Sequence, residues 1–274
     1  RLPPEILDKE INYILRLGVE AKTGVRFGKD ITLQDLEQDG FSAIFMGIGA
    51  HDSLKMGIEG EDFGSNNHSS QSNNSADNLD NTDNNGLIDA VTFLREINLG
   101  SSSQKEKNLE QTNKISIGNH IVVIGGGNVA IDAARVAKRL GAKSVEIVYR
   151  RTEGEMPAYK DEIDGAREEG VKFRFLTAPI RIVRENSNIS INNTISNDNN
   201  RISQNSGKVA GVECLTTELG PPDASGRRRP VPVKDSEFII SCDTVIPAIG
   251  QQTDASWAGT IPDLDWSKRK TISV

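Results

Sequence analysis

His120-Ile121-Val122-Val123-Ile124-Gly125-Gly126-Gly127-Asn128-Val129-Ala130 is a continuous apolar run that breaks into glycines and then into a helical pattern. It reads as a buried parallel strand, a phosphate-binding turn and the start of a helix. In such a unit the first glycine, Gly125, makes the tight turn, and the second, Gly127, lets the backbone come close to a pyrophosphate. The small Ala130 packs the helix onto the sheet, while free N–H groups at the helix N-terminus face the anion. A glycine string alone is weak evidence, since glycine turns join many strands to helices. Its context strengthens it: residues 128–140 place Val129, Ala133, Val136, Ala137 and Leu140 on one helical face, Gly141 suits the position just past the helix, and residues 144–149 read as a second strand.

That second strand ends about 25 residues past Gly125, where a dinucleotide-binding unit carries the residue that reads the ribose. An acidic side chain there accepts hydrogen bonds from an unmodified ribose, but this chain has Arg150 and Arg151. Two guanidinium groups suit a 2′-phosphate through bidentate, charge-assisted hydrogen bonds, which points to NADPH. The plainer alternative is a pair of arginines solvated at a strand end.

The 274 residues give material for about two domains. A formal net charge of −7 argues against nucleic acid as the main partner. No run is long or apolar enough to span a membrane and no signal peptide is visible, so a cytoplasmic location is expected. The chain begins with Arg1 rather than Met and enters a helical pattern almost at once, which reads as an internal fragment. Cys214 and Cys242 fall in separate expected strands, form no CxxC and read as small core residues rather than a redox centre. His51, His68 and His120 have no metal-ligand spacing, and no metal site is expected.

Three stretches, residues 65–85, 101–113 and 186–206, are rich in Asn and Ser and poor in apolar residues. They read as disordered insertions in the loops of a compact fold. Ahead of them, residues 4–17 pattern as an amphipathic helix closed by Gly18, residues 19–23 as a strand, and a short helix starts near Thr32 with Asp35 placed for a capping box. Residues 41–46 pattern as a buried strand running into Gly47-Ile48-Gly49, a kind of strand end where a ligand can approach the backbone. Beyond Arg151, a helix is expected at 159–169, a strand at 171–176, and extended runs at 180–184, 209–218 and 238–241 that resemble an antiparallel meander laid on a parallel sheet. A last apolar strand, 244–249, ends in Gly250-Gln251 and repeats the strand-Ile-Gly pattern of residues 41–49. Arg227-Arg228-Arg229, before Pro230, reads as a solvated hairpin tip, and Glu153, Glu155, Asp161 and Glu162 as a loop and charged helix face rather than an acid/base cluster.

Taken in order, Arg1-Leu2-Pro3, Gly47-Ile48-Gly49, Gly57-Ile58-Glu59-Gly60-Glu61-Asp62, Gly125 to Asp132, Val148-Tyr149-Arg150-Arg151-Thr152, Glu155-Met156-Pro157-Ala158 and Ala248-Ile249-Gly250-Gln251 resemble the NADPH:flavin half of the glutamate synthase small (β) subunit family. The corresponding half of dihydropyrimidine dehydrogenase is a relative of that family. The resemblance covers nearly all the chain outside the Asn/Ser-rich tracts. It implies an α/β flavoprotein with two dinucleotide-binding domains, a Rossmann-like NADPH domain with a β-meander being inserted into an incomplete FAD domain. Residues 1–63 would be the first part of the FAD domain, 64–117 insertions and a linker helix, 118–241 the NADPH domain, and 242–274 the return to the FAD domain. By position, Gly126, Gly127, Asn128 and Val129 would cradle the pyrophosphate, with Gly125 beside them among the cofactor-binding residues, and Arg150 and Arg151 would take the 2′-phosphate. Gly49 would lie against FAD, and Ala248, Ile249 and Gly250 would pass close to the nucleotides. The family's upstream FAD phosphate loop, its downstream acidic flavin-contacting segment and its cysteine-rich iron–sulfur module are not found in this sequence. The FAD site is therefore incomplete here, and any iron–sulfur cluster belongs to missing regions or a partner.

The expected function is hydride transfer from NADPH to FAD, with electrons leaving to a partner subunit or domain. Such chemistry belongs to the cofactors and needs no side-chain nucleophile, so no catalytic residue is assigned. Two alternatives stay open: an NADPH-binding module without turnover, and a glycine turn serving another adenine-containing ligand, as in a methyltransferase. The paired arginines weigh against the second, because methyl transfer has no use for a 2′-phosphate site.

Overall fold

The computed structural model describes residues 3–61, 85–102, 117–185, 207–222 and 226–253. The three Asn/Ser-rich tracts fall almost entirely outside them, as do Trp257 and Trp266. The chain divides into two compact units, Arg1–Gly49 with Thr253–Val274, and Ala50–Gln252.

In the first unit, helix α1 (Pro4–Arg16) carries Pro at its first turn, where a missing N–H costs nothing, and ends at Gly18 with a positive φ of 93°. Its apolar side chains Ile6, Leu7, Ile11 and Ile14 are exposed. Helix α2 (Leu33–Gln38) starts with the expected capping box: the Asp35 N–H donates to the Thr32 hydroxyl, and the Thr32 N–H donates to the Asp35 carboxylate. Residues 19–23 and 41–46 form no strand, contrary to expectation. Backbone N–H and C=O groups make a strand only by pairing with a neighbour, and among the described residues of this unit no strand lies alongside them.

The second unit holds β1 (Asp52–Ser53), α3 (Ala90–Ser102), β2 (His120–Ile124), α4 (Asn128–Arg139), β3 (Ser144–Val148), α5 (Lys160–Glu168), β4 (Lys172–Arg174), β5 (Thr177–Arg184), β6 (Val209–Pro222), β7 (Arg228–Pro232), β8 (Phe238–Ser241), β9 (Thr244–Pro247) and β10 (Gln251–Gln252). The order β4-β3-β2-β9 makes a parallel sheet, with Ile121 opposite Val145 on one side and Thr244 on the other. Alternate residues of β2 serve two cores. Ile121 and Val123 join Phe93, Ile131, Ala134 and Ile163 on the helical side, and Val122 and Ile124 join Ile182, Val212 and Val245 against the meander. The protein therefore stacks helices, a parallel sheet and an antiparallel layer, a mixed α/β architecture. In that last layer β6 pairs β5 along one edge, and along the other β8 covers its first half and β7 its second.

The compact unit is wider than the 118–241 expected for the nucleotide domain, since it runs from Ala50 to Gln252. Strand β9, expected in the returning segment 242–274, lies beside β2 with Val245 and Ile246 fully buried. Residues 56–61 are fastened to the meander as well. The Ile182 N–H donates to the Glu59 carbonyl at 2.8 Å, and the buried Arg184 donates from Nη2 to the Gly60 carbonyl at 2.9 Å and from Nη1 to the Gly207 carbonyl at 2.8 Å. Glu61 closes the turn by accepting from the Met56 and Gly57 N–H groups at 2.7 and 2.6 Å.

Candidate functional site

Strands β2, β3 and β9 end side by side, and beyond their C-terminal ends opens a cavity of about 590 Å³. Its position outside the carboxyl ends of parallel strands is where open α/β sheets take ligands, and its size suits a small-molecule site.

The three glycines of the turn differ in what constrains them. Gly125 has φ of +146°, and a Cβ there would lie 2.3 Å from the Ala248 carbonyl oxygen. The turn is stitched at this point, the Gly125 N–H donating to the Val148 carbonyl at 3.0 Å and the Ala248 N–H to that of Ile124 at 2.7 Å. A Cβ on Gly126 would meet the Tyr149 ring at 2.5 Å, and the Tyr149 hydroxyl donates to the Glu155 carbonyl at 2.8 Å. Gly127 is different: φ is −91°, and a Cβ would have no protein atom nearer than Pro157 Cγ at 4.0 Å. Among the described residues nothing excludes a side chain at Gly127, so the space above it is open to a ligand. Gly127 also caps α4 without a side-chain acceptor, which leaves first-turn N–H groups of the helix for an anion. Ala130 is fully buried, as its packing role requires.

Asn128 lines the cavity, but its side chain is committed elsewhere. Its Oδ1 accepts from the Tyr159 N–H at 3.0 Å, and the Ala158 N–H donates to the Gly126 carbonyl at 3.2 Å. The loop before α5 is thereby tied to the glycine turn, and Pro157 stands in the cavity wall.

Arg150 and Arg151 leave the end of β3 on a pinned backbone. The Arg150 carbonyl accepts from the Thr217 hydroxyl at 2.8 Å and the Arg151 carbonyl from the Leu176 N–H at 3.0 Å, and Thr217 is itself buried in β6. Arg150 is exposed. Arg151 is only 7 % exposed, and its Nε donates to the Arg228 carbonyl at 2.7 Å. Both line the cavity, and Arg227 joins them there. Arg227, expected as part of a solvated tip, reaches the wall that Arg150 also lines through the pairing of β6 with β7, and no spacing rule signals it. Val129, Ala248, Ile249 and Gly250 also line the cavity, together with Ser53 and Met56, which pattern and motif did not mark. Gly49 belongs to the other compact unit and is not in this wall.

Three of the four acidic residues flagged near the arginines are spent on structure. Glu155 accepts from the Thr152 hydroxyl and N–H, Glu162 from Arg135 at 2.6 Å, and Glu153 from Arg167, whose hydrogen bonds hold the Glu153 carboxyl below its ordinary range. Burial pushes the thiols of Cys214 and Cys242 up to about 12, so both stay protonated at neutral pH and act as core residues. Among the described residues no group of His, Cys, Asp or Glu could hold a metal ion, and no helix is long and apolar enough to cross a membrane.

The sequence pattern of the family described as pyridine nucleotide-disulphide oxidoreductase matches residues 5–274. The chain belongs to that family. Within the pyridine nucleotide-disulphide oxidoreductases it is 40% identical over 275 residues to the NADPH-Fe(3+) oxidoreductase subunit beta of Geobacter sulfurreducens, covering 99% of this chain and 33% of that protein. With the glutamate synthase [NADPH] small chain of Escherichia coli it shares 33% identity over 253 residues, 91% of this chain and 44% of the relative. The likeness to the glutamate synthase small subunit drawn from the sequence motifs therefore holds, and the chain spans less than half the length of either relative. In three dimensions it resembles the FprA oxidoreductase of Mycobacterium tuberculosis with a TM-score of 0.62 at 17% identity, over 97% of this chain and 62% of that one, a likeness of fold.

Proposed function

We propose that this chain is the NADPH-binding part of an NADPH-dependent flavin oxidoreductase, in which hydride passes from NADPH to FAD and the electrons go on to a partner subunit or iron–sulfur centre. One observation carries the reading. Within one cavity, the turn's single unobstructed glycine, Gly127, stands at an uncapped helix N-terminus, and a pinned arginine pair lies at the end of the next strand. The first pair of features suits a pyrophosphate and the second a 2′-phosphate. The relatives' names, an NADPH-Fe(3+) oxidoreductase subunit and an NADPH glutamate synthase chain, support the same chemistry.

The residues present fit NADPH: a cradle that a Cβ would fill, and fixed cations at the ribose end. The nicotinamide supplies the hydride when NADPH is bound. The chain's part is to hold the pyrophosphate at Gly126, Gly127, Asn128 and Val129, to meet the 2′-phosphate with Arg150 and Arg151, and to shield the remainder with Ala248, Ile249 and Gly250. FAD is the acceptor in this proposal, with Gly49 beside it. Among the described residues there is no second glycine turn leading into a helix for its pyrophosphate, so the flavin site is assigned to the whole protein. Two buried free thiols suit a reducing compartment, in keeping with a cytoplasmic enzyme.

Calorimetric titration with NADPH and NADH tests the assignment. Arg150→Gln should weaken NADPH about tenfold or more and leave NADH nearly unchanged, because a charge-assisted hydrogen bond contributes roughly 1.5–3 kcal/mol. Equal losses for both nucleotides would remove the arginines from the 2′-phosphate.

A further inference from the structure

Of the arginines at the β6–β7 hairpin, Arg227 and Arg228 have different surroundings. Arg228 folds back on its own hairpin, its Nε donating to the Gly220 carbonyl at 3.1 Å and its Nη2 to the Leu219 carbonyl at 2.7 Å. These bonds brace the tip next to the paired residues Pro222 and Arg228. The Arg228 carbonyl in turn accepts from Arg151 Nε at 2.7 Å, which fastens the tip to the end of β3. Arg227, one residue earlier, is thereby held at the wall of the cavity that Arg150 and Arg151 also line. The chain contributes cations from two distant segments to one place, and it uses a buried guanidinium to fix their spacing.

We propose that Arg227 is a specificity-determining residue, a third cationic ligand of the 2′-phosphate, delivered to the site by the bond from Arg151 to the Arg228 carbonyl. The inference rests on the NADPH reading above. A phosphate monoester carries about −1.5 to −2 charges near neutral pH and offers three acceptor oxygens, so guanidinium groups can approach it from more than one side. Arg150 and Arg227 are both exposed and come from separate segments, so they can converge on one dianion from different sides. Arg151 then has two tasks: it lines the ligand cavity, and its Nε fastens the hairpin through the Arg228 carbonyl.

The test measures NADPH and NADH binding to the wild type, Arg227→Gln, Arg227→Lys and Arg150→Gln, with 2′-AMP and 5′-AMP as probes that isolate the phosphate position. Arg227→Gln should weaken NADPH and 2′-AMP about fivefold to tenfold and leave NADH and 5′-AMP within about twofold, with Arg227→Lys recovering part of the loss. Thermal unfolding of Arg227→Gln should match the wild type, since the side chain is exposed. If Arg150→Gln loses the NADPH preference but Arg227→Gln keeps it, the third ligand is refuted and the arginine pair stands. If the wild type has no preference between NADPH and NADH, or Arg150→Gln weakens both equally, the underlying reading falls with it.

Discussion

Residues 41–49 and 244–250 are written alike, an apolar run closing on Ile-Gly, yet they have opposite fates. The later run becomes β9, lies in register beside β2, and buries Val245 and Ile246 completely. The earlier one forms no strand, and Phe45 within it is 95 % exposed. Both segments have the side chains of a buried strand, but among the described residues only one has a neighbour to receive its backbone hydrogen bonds. An apolar pattern states what a segment would bury; pairing decides whether it does.

The comparison can be broken most sharply at Ile246. Truncation to Ala in a fully buried strand should cost about 2–5 kcal/mol in chemical denaturation, and a loss below about 1 kcal/mol would mean that β9 is not integral to the sheet. A smaller effect is expected from the clamp that ties α4 to the end of α5. Arg135 donates to Glu169 from Nε at 3.0 Å and from Nη2 at 2.7 Å, and Arg139 donates to the same carboxylate. Hydrogen bonds from Arg139, then Arg135, hold the Glu169 carboxyl below its ordinary value of 4.5. A depressed native value adds stability above the unfolded value and loses it as pH falls through the native one. Glu169→Gln should therefore cost about 1 kcal/mol at pH 7, and its stability should fall less than that of the wild type between pH 5 and the depressed value; parallel melting curves for the two would exclude the clamp. Least of all is expected at Phe45. Phe45→Ala should change stability by less than about 0.5 kcal/mol, and a loss comparable to that of Ile246→Ala would show that residues 41–49 are packed after all.

Much of the second unit was legible in the sequence because its elements are continuous and strongly periodic. The strand, glycine turn and helix from His120 to Arg139, the second strand with its arginines, and the extended runs of the meander all stand close to where their patterns put them. The same local rules placed the capping box of Thr32 and Asp35. What they missed was contributed by distant chain. Arg227 reaches the cavity through strand pairing, Met56 and Ser53 through the fastening of residues 52–61, and Asn128 spends its side chain on Tyr159. The boundary expected at residue 242 fell wide for a related reason: β9 follows the meander in sequence but completes the parallel sheet in space.

By itself the sequence determined the chemistry that each segment can offer: a glycine turn open to an anion, a cationic strand end in place of an acidic one, and two thiols in apolar runs. The tertiary structure alone decided which of these offers meet. Gly127 is free for a ligand because Ala248 and the Tyr149 ring crowd its neighbours, Gly125 and Gly126, and not Gly127 itself. Arg151 is a strut as well as a cation because the hairpin carbonyl lies within its reach. Both facts depend on excluded volume and hydrogen-bond geometry between segments far apart in the chain, which no local pattern encodes.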